Sequence, residues 1–193
     1  MIKYWLGTAL TILVGLSACK MTDPAPEDKK SRKFADLPAY FKSENSQLIS
    51  GNYTLNKSIT LNNEADKVSS AADSTTVHDL LKPFQDIDLN KPSLKEEYDT
   101  SSIYDSFSGK TTVIYQSKGK QTSPSEITME LDKTGNIQQI NIHSYTSNLV
   151  YEYRQDLQYI RQKQVRMATY QKIAFLQPKV LEAVVSIAPK NGN

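Results

Sequence analysis

Apolar residues recur at helical spacing from residue 34 onward. The first stripe has apolar side chains three, four and seven positions apart: Phe34, Leu37, Phe41 and Leu48. Asp36 precedes the stripe as a helix N-cap, Pro38 falls in the first turn, and Gly51 supplies a stop. This pattern predicts an amphipathic helix near residues 37–49, whose stripe packs on a sheet or, alternatively, binds a partner.

A second helical pattern follows further along the chain. Its apolar face consists of Val77, Leu80, Leu81 and Phe84. Thr76 and Asp79 have the spacing of a capping box, with Asp in place of the usual Glu or Gln. Because Pro83 falls inside the pattern, we expect a kink or an early end of the helix there.

The remaining segments alternate apolar and polar residues, which indicates strands. Residues 53–61 alternate in this way, whereas residues 62–75 are polar and are predicted to form a loop. Beyond residue 94 a period of two predicts the strands 98–105, 111–117, 126–132, 137–145, 149–156, 159–167, 170–176 and 180–187. A turn at 132–136 contains a glycine and joins two of these strands as a hairpin.

The order of the predicted elements indicates the fold class. No strand–helix–strand alternation follows residue 94, so a doubly wound parallel sheet is disfavoured. Closely spaced strands with short polar connections are typical of an antiparallel meander. The sequence therefore predicts an α+β domain with a predominantly antiparallel sheet of about seven to nine strands in the C-terminal half, packed with two N-terminal amphipathic helices.

The first residues have the pattern of a secretory signal. Lys3 provides a positive charge, and residues 5–16 are uncharged and mostly apolar. This run is shorter than the roughly 20 apolar residues that span a bilayer. No second apolar segment follows it. We expect a signal peptide at residues 1–18, a flexible tether at 19–33 and a single α+β domain at 34–193.

The signal ends in four residues that closely resemble the bacterial lipobox: Leu16, Ser17, Ala18 and Cys19. The resemblance implies cleavage before Cys19 and acylation of its thiol and new amino group. Cys19 is the single cysteine of the chain, which fits a modified thiol. Two or more acyl chains give stable membrane anchoring. The alternatives are a buried free cysteine and an ordinary signal whose cleavage site includes a cysteine.

The predicted tether is rich in proline and charge. Met21 is its one sizeable apolar side chain, so the segment cannot bury enough surface to offset its ordering entropy. Its basic cluster contains Lys29, Lys30, Arg32 and Lys33. These side chains either contact anionic lipid headgroups or remain a solvated part of the linker. In Gram-negative relatives, Lys20 after the cysteine implies release to the outer membrane, on its periplasmic or surface face.

Composition and motifs disfavour several classes of function. The chain has 193 residues, with 23 basic and 21 acidic side chains, so no strong positive field favours nucleic acid as a partner. The two histidines, His78 and His143, have no metal-ligand spacing. Neither a nucleophile elbow nor a phosphate-binding glycine loop is present. We therefore predict no catalytic residues, no metal site and no cofactor.

Tyrosine is concentrated in the strand-rich half, which contains eight of the eleven tyrosines. Tyr151 and Tyr153 lie two positions apart on one predicted strand and so project from the same face. An exposed pair of this kind forms an aromatic platform for a glycan or a peptide. The alternative is that these tyrosines stabilise the sheet as cross-strand pairs.

The whole pattern resembles small envelope lipoproteins of Bacteroidota-type bacteria, to which no activity is assigned. The resemblance rests on LSAC, the polar tether, FADLPAYFKSE, DLNKPSLKEEY and the tyrosine-rich strands. It implies a lipid-anchored envelope protein with a non-enzymatic role, structural or in binding an envelope protein, glycan or lipid. A second similarity, to outer-membrane lipoproteins of the lipoprotein-receptor type, implies a carrier with an apolar cavity between sheet and helices. No motif supports a third alternative, an anchored hydrolase.

The lipobox interpretation makes a direct prediction. Cys19→Ala should abolish acylation and leave an uncleaved or soluble form, because the acceptor thiol is gone. Metabolic labelling with palmitate measures this. Label entering the Cys19→Ala variant would contradict the assignment of the anchor.

Overall fold

The computed structural model describes residues 33–119 and 122–190, and these contain two helices and nine strands. The helices are α1 (Leu37–Ser50) and α2 (Ser74–Gln85). The strands are β1 (Tyr53–Leu61), β2 (Glu64–Ala71), β3 (Tyr98–Asp105), β4 (Lys110–Ser117), β5 (Glu126–Leu131), β6 (Ile137–Ser147), β7 (Tyr151–Ile160), β8 (Gln164–Ile173) and β9 (Lys179–Pro189). Among the helices of this described part, none combines the length and apolar character needed to cross a membrane.

All nine strands form one antiparallel sheet in the order β2-β1-β9-β8-β7-β6-β5-β4-β3. Strands β3 to β9 are a continuous meander, and the β1–β2 hairpin extends it by pairing β1 with β9. Because β2 and β3 are the two edges, the segment containing α2 passes from one edge of the sheet to the other. The predicted α+β class and antiparallel sheet are confirmed, with seven strands after residue 94. Along the chain, however, the β1–β2 hairpin lies between the two helices, so the helices do not both precede the strands.

The predicted loop at residues 62–75 is wrong. Residues Glu64–Ala71 form β2, and Asn62 and Asn63 make the hairpin turn with φ angles of 46° and 76°. Two consecutive positive φ values define a type I′ turn, which asparagine tolerates. Strand β2 is exposed along nearly its whole length, so its sequence carries no buried alternation.

The boundaries of the last strands are also corrected. The predicted strands 149–156, 159–167 and 170–176 are in fact two strands, β7 and β8, joined by a turn at 161–163. Gln162 occupies the left-handed region of this turn, with φ 52°. Glycine or asparagine usually marks such a position, so the sequence carries no turn signal here.

The helix caps agree with expectation in one helix and differ in the other. Asp36 caps α1 by accepting a hydrogen bond from the Ala39 backbone N–H at 3.2 Å, and Gly51 ends the helix. The predicted capping box of α2 is wrong. Asp73 caps α2 instead, accepting from the Thr76 backbone N–H at 2.8 Å and from its hydroxyl at 2.9 Å.

Both helices contribute to a core against one face of the sheet, here called the helix-side face. The rings of Phe41 in α1 and Phe84 in α2 lie 4.9 Å apart, centroid to centroid. Tyr159 of β7 lies 5.1 Å from Phe41 and 6.2 Å from Phe84. All three side chains are fully buried, so the space between the helices and β7 is filled.

A buried carboxylate joins α1 to the sheet. Glu44 is 1% exposed, and its Oε2 accepts a hydrogen bond from the Tyr159 hydroxyl at 2.5 Å. Its Oε1 lies 3.3 Å from Arg161 Nε. Burial and the bond to Glu44 raise the pKa of Tyr159 well above its ordinary value, so this hydroxyl stays protonated and donates. A buried charge requires such partners.

Removing one member of this network should destabilise the fold. Tyr159→Phe should cost about 1–3 kcal/mol of unfolding free energy, because Glu44 loses its buried donor. Glu44→Leu combined with Tyr159→Phe should cost less than the sum of the single variants, with a coupling of roughly 0.5–3 kcal/mol. Urea unfolding of all three variants measures the coupling. Strictly additive losses would contradict the proposed pairing.

Candidate functional site

The helices cover only part of the helix-side face. Buried side chains on this face end at Leu55 in β1, Ser144 in β6, Leu157 in β7, Val165 in β8 and Ala183 in β9. Beyond these positions the five strands continue toward one end of the sheet, here called the open end. The side chains there are half-buried or exposed.

The uncovered part of the helix-side face, here called the open face, follows from strand register. Its members are Ile59, Leu61, Thr146, Tyr151, Tyr153, Gln155, Thr169, Gln171, Ile173 and Leu181. Tyr153 pairs with Thr146 on one side and Gln171 on the other. The open face therefore combines aromatic, amide, hydroxyl and aliphatic side chains. Charged residues adjoin it at Lys179, which pairs with Gln171, and at Glu64 and Asp66 of the edge strand β2.

Tyr151 and Tyr153 are the aromatic residues of the open face. Their ring centroids are 6.3 Å apart and the ring planes differ by 6°, so the rings are stacked. The shared face predicted from the sequence is thereby found in the structure. Burial, and secondarily the neighbouring Tyr151, raises the pKa of Tyr153. Both groups can offer a neutral ring surface and a hydrogen-bonding hydroxyl to a ligand.

The register also contains cross-strand pairs of the kind that the alternative describes, since Tyr151 pairs with Ile173 and Tyr153 with Thr146. The cross-strand neighbours of Tyr153 are a threonine and a glutamine, and the neighbour of Tyr151 in β8 is Ile173. The aromatic contact thus runs along β7 rather than between strands. Because both stacked rings belong to β7, the stacking does not join two strands. The half-exposed rings can also contact another molecule.

Gln155, Thr169 and Gln171 are open-face residues that the sequence pattern does not predict. These residues reach the open face only through the pairing of β7 with β8. A polar residue at an alternate strand position is usually read as solvent-facing, and the register that places it beside Tyr153 is set by long-range pairing. These residues are half-buried positions of the two strands in the structure, and the sequence pattern alone does not show that burial.

The opposite, outer face of the sheet carries charged groups. His143 Nδ1 lies 2.6 Å from Asp156 Oδ1, and Glu126 is the cross-strand neighbour of His143. These residues line a shallow cavity of about 360 Å³. His143 and Asp156 are both exposed to solvent. Within residues 33–119 and 122–190, no group of three or more His, Cys, Asp or Glu side chains is arranged to hold a metal ion.

One further cavity lies beside α2. Its volume is about 250 Å³, and its lining includes Leu55, Lys57, Asp79, Leu80 and Met167. The lining mixes apolar groups with a lysine and an aspartate. Its volume is below the roughly 300–1,000 Å³ of typical ligand pockets.

The predicted lipidation site lies outside the described residues. Leu16, Ser17, Ala18 and Cys19 belong to the range 1–32, so the anchor stays a prediction from the sequence. Residue 33 is the first one described. Lys33 Nζ donates to the Lys95 carbonyl at 2.9 Å and lies 3.3 Å from Glu96 Oε2.

Comparison with known proteins yields one structural similarity. No family model matches the chain, and no curated protein sequence matches it. Among solved structures, the chain is similar to the S-type phycobiliprotein lyase CPES from Guillardia theta, with 11% identity and a TM-score of 0.25. The match covers 80% of this chain and 99% of that chain. An identity and a TM-score this low carry no argument about function.

The open-face tyrosines should contribute little to stability. We expect Tyr153→Ala to change the free energy of unfolding by about 1 kcal/mol or less, as for ordinary surface positions. Tyr159→Ala, in the buried cluster, should cost roughly 3–5 kcal/mol. Urea unfolding of the two variants measures the difference. Equal losses would show that Tyr153 belongs to the core.

Proposed function

We propose that this protein is a lipid-anchored, non-enzymatic component of the cell envelope that binds another envelope component through the open face. The observation that carries the proposal is the uncovered part of the helix-side face, with its stacked Tyr151 and Tyr153. A sheet whose only role was structural would gain stability from covering this surface. Leaving it accessible is typical of an interaction site.

Anchoring at Cys19 is the second part of the proposal. The sequence Leu16, Ser17, Ala18, Cys19 supports it, as does the single cysteine of the chain. An outer-membrane location follows if the organism sorts lipoproteins by the residue after the cysteine, here Lys20. The anchor holds the domain at the membrane surface, where its binding partner would be a neighbouring envelope molecule.

The chemistry of the open face suggests the class of ligand. Aromatic rings stack on the apolar C–H faces of sugars, while amide and hydroxyl groups such as those of Gln171 and Thr146 exchange hydrogen bonds with sugar hydroxyls. Charge on the open face is confined to its rim, at Lys179 of β9 and at Glu64 and Asp66 of β2, whereas the outer face carries pairs such as Arg166–Glu182, 2.7 Å apart. An uncharged glycan segment therefore fits this face best, with an extended peptide as the alternative.

The carrier alternative has less support. A hydrophobic ligand would need an apolar cavity between sheet and helices, and the Phe41, Phe84 and Tyr159 cluster fills the part of that space over β7. The cavity of about 250 Å³ beside α2 is small and contains Lys57 and Asp79. An acyl chain bound there would have to lie next to two charged side chains.

Binding to peptidoglycan sacculi tests the proposal. The detergent-solubilised protein is incubated with sacculi, and the bound fraction is measured after sedimentation. Tyr151→Ala combined with Tyr153→Ala should weaken binding about tenfold or more, as loss of central aromatic contacts does. Tyr145→Ala is the matched control, because Tyr145 lies on the outer face of the adjacent strand β6 and is also exposed.

The outcomes separate the ligand classes. Weakened binding in the double variant alone supports a glycan at the open face. Retained binding in that variant, or equal loss in Tyr145→Ala, contradicts the assignment. If the wild-type protein binds no sacculi, photocrosslinking from position 153 on intact cells decides between a protein partner and no partner at this face.

A further inference from the structure

The open end of the sheet presents large apolar side chains at two neighbouring hairpin loops. Residues 148–150 join β6 to β7, and residues 174–178 join β8 to β9. The large apolar residues of these loops are exposed by 101% at Leu149, 60% at Val150, 106% at Phe175 and 62% at Leu176. We name these four residues the apolar tips. Full exposure of this much apolar surface is unusual in water.

Hydrogen bonds hold the apolar tips in place. The Ala174 backbone N–H donates to the Val150 carbonyl at 2.8 Å and so links the two loops. Asn148 Oδ1 accepts from the backbone N–H groups of Val150 and Tyr151 at 3.0 and 2.9 Å. Phe175 has a φ of 65°, a conformation that bulky residues rarely adopt. The ring is therefore directed into solvent by a defined loop conformation.

The opposite end of the sheet has a different character. Its turns at 132–136 and 161–163 consist of polar residues and a glycine. Asp132 there accepts from Thr134 and Asn136, and these bonds hold its pKa at about 2. Phe107, in the β3–β4 turn, is the one large apolar tip at that end among the described residues, with an exposed fraction of 101%. Among the described residues, large exposed apolar side chains at hairpin turns are thus concentrated at the open end.

The charge around the apolar tips fits an anionic surface. Lys172 and Lys179 flank the 174–178 loop, both exposed, and no charged residue lies between them. The loop at 148–150 has no charged residue either, and the nearby Glu152 is paired with Arg154 at 2.5 Å. Apolar side chains flanked by lysines match the acyl boundary and the headgroups of an anionic lipid bilayer.

We propose that the apolar tips insert into the surface of a phospholipid bilayer, with Lys172 and Lys179 at the level of the headgroups. Interfacial apolar groups are buried about 5–10 Å into the headgroup and acyl boundary. Two adjacent loop tips can reach this depth. A shallow cavity of about 310 Å³ is lined by Leu149, Val150 and Lys172, whereas the fully exposed Leu149 and Phe175 side chains project into solvent. The contact with the bilayer is separate from the open-face ligand and from the proposed lipid at Cys19.

Site-specific fluorescence tests insertion in the full chain. Cys19→Ser removes the single native thiol, and Leu149→Cys or Phe175→Cys then carries the environment-sensitive NBD fluorophore. The protein is mixed with preformed vesicles of phosphatidylcholine and phosphatidylglycerol, with or without doxyl-labelled acyl chains as quencher. Phe107→Cys is the matched control, since Phe107 is equally exposed at the other end of the sheet.

The expected result is blue-shifted emission and doxyl quenching at positions 149 and 175, with neither at position 107. Phe175→Asp should reduce insertion of the label at 149 about tenfold or more, because an apolar side chain leaves the bilayer. Replacing each lysine by glutamine should weaken it about fivefold in anionic vesicles only. Circular dichroism confirms that the variants fold.

Two results would overturn the proposal. Labels at 149 and 175 that emit as in water, like the label at 107, would show that the tips stay outside the bilayer. A blue shift that appears without vesicles and grows with protein concentration would show that the tips contact a second copy instead. Because the assay needs no sacculi, its failure is distinguishable from failure of glycan binding.

Discussion

The contact of α1 with β7, made by Glu44, Phe41 and Tyr159, fixes where the helices lie on the sheet. Nine strands span about 38 Å across at a spacing of about 4.8 Å. Helix α1, with 14 residues, is about 21 Å long. Two such helices cannot cover the whole face. Since the buried carboxylate holds α1 near the β7–β8 turn, the uncovered area falls at the other end of the strands.

This division gives the two parts of the helix-side face different roles. The covered part holds the aromatic cluster and accounts for the stability of the domain. The open face has no such packing to maintain, and its stacked tyrosines and neutral polar groups are suited to binding. The apolar tips continue it at the rim of the sheet. A domain tethered at its N-terminus and contacting lipid at this rim would hold the open face close to the membrane surface.

Local sequence signals predicted much of the fold. Period-two alternation found β1 and most of the C-terminal strands, and Asp36 and Gly51 placed α1, because each signal depends on residues close in sequence. Strand β2 was missed because its side chains are exposed, and the turn at Gln162 was missed because it lacks glycine. The open face was found only at Tyr151 and Tyr153. Gln171 and Thr146 join them through strand register, which a single sequence does not encode locally.

Hydroxyl-radical footprinting of the tyrosines, on the purified protein and on intact cells, tests the central claim most directly. We expect rapid oxidation of Tyr153 and little oxidation of Tyr159 in the purified protein. On cells, Tyr153 should become protected while Tyr145 on the outer face reacts as before. Protection of Tyr153 already in the purified protein, or unchanged reactivity on cells, would contradict an open face that binds an envelope component.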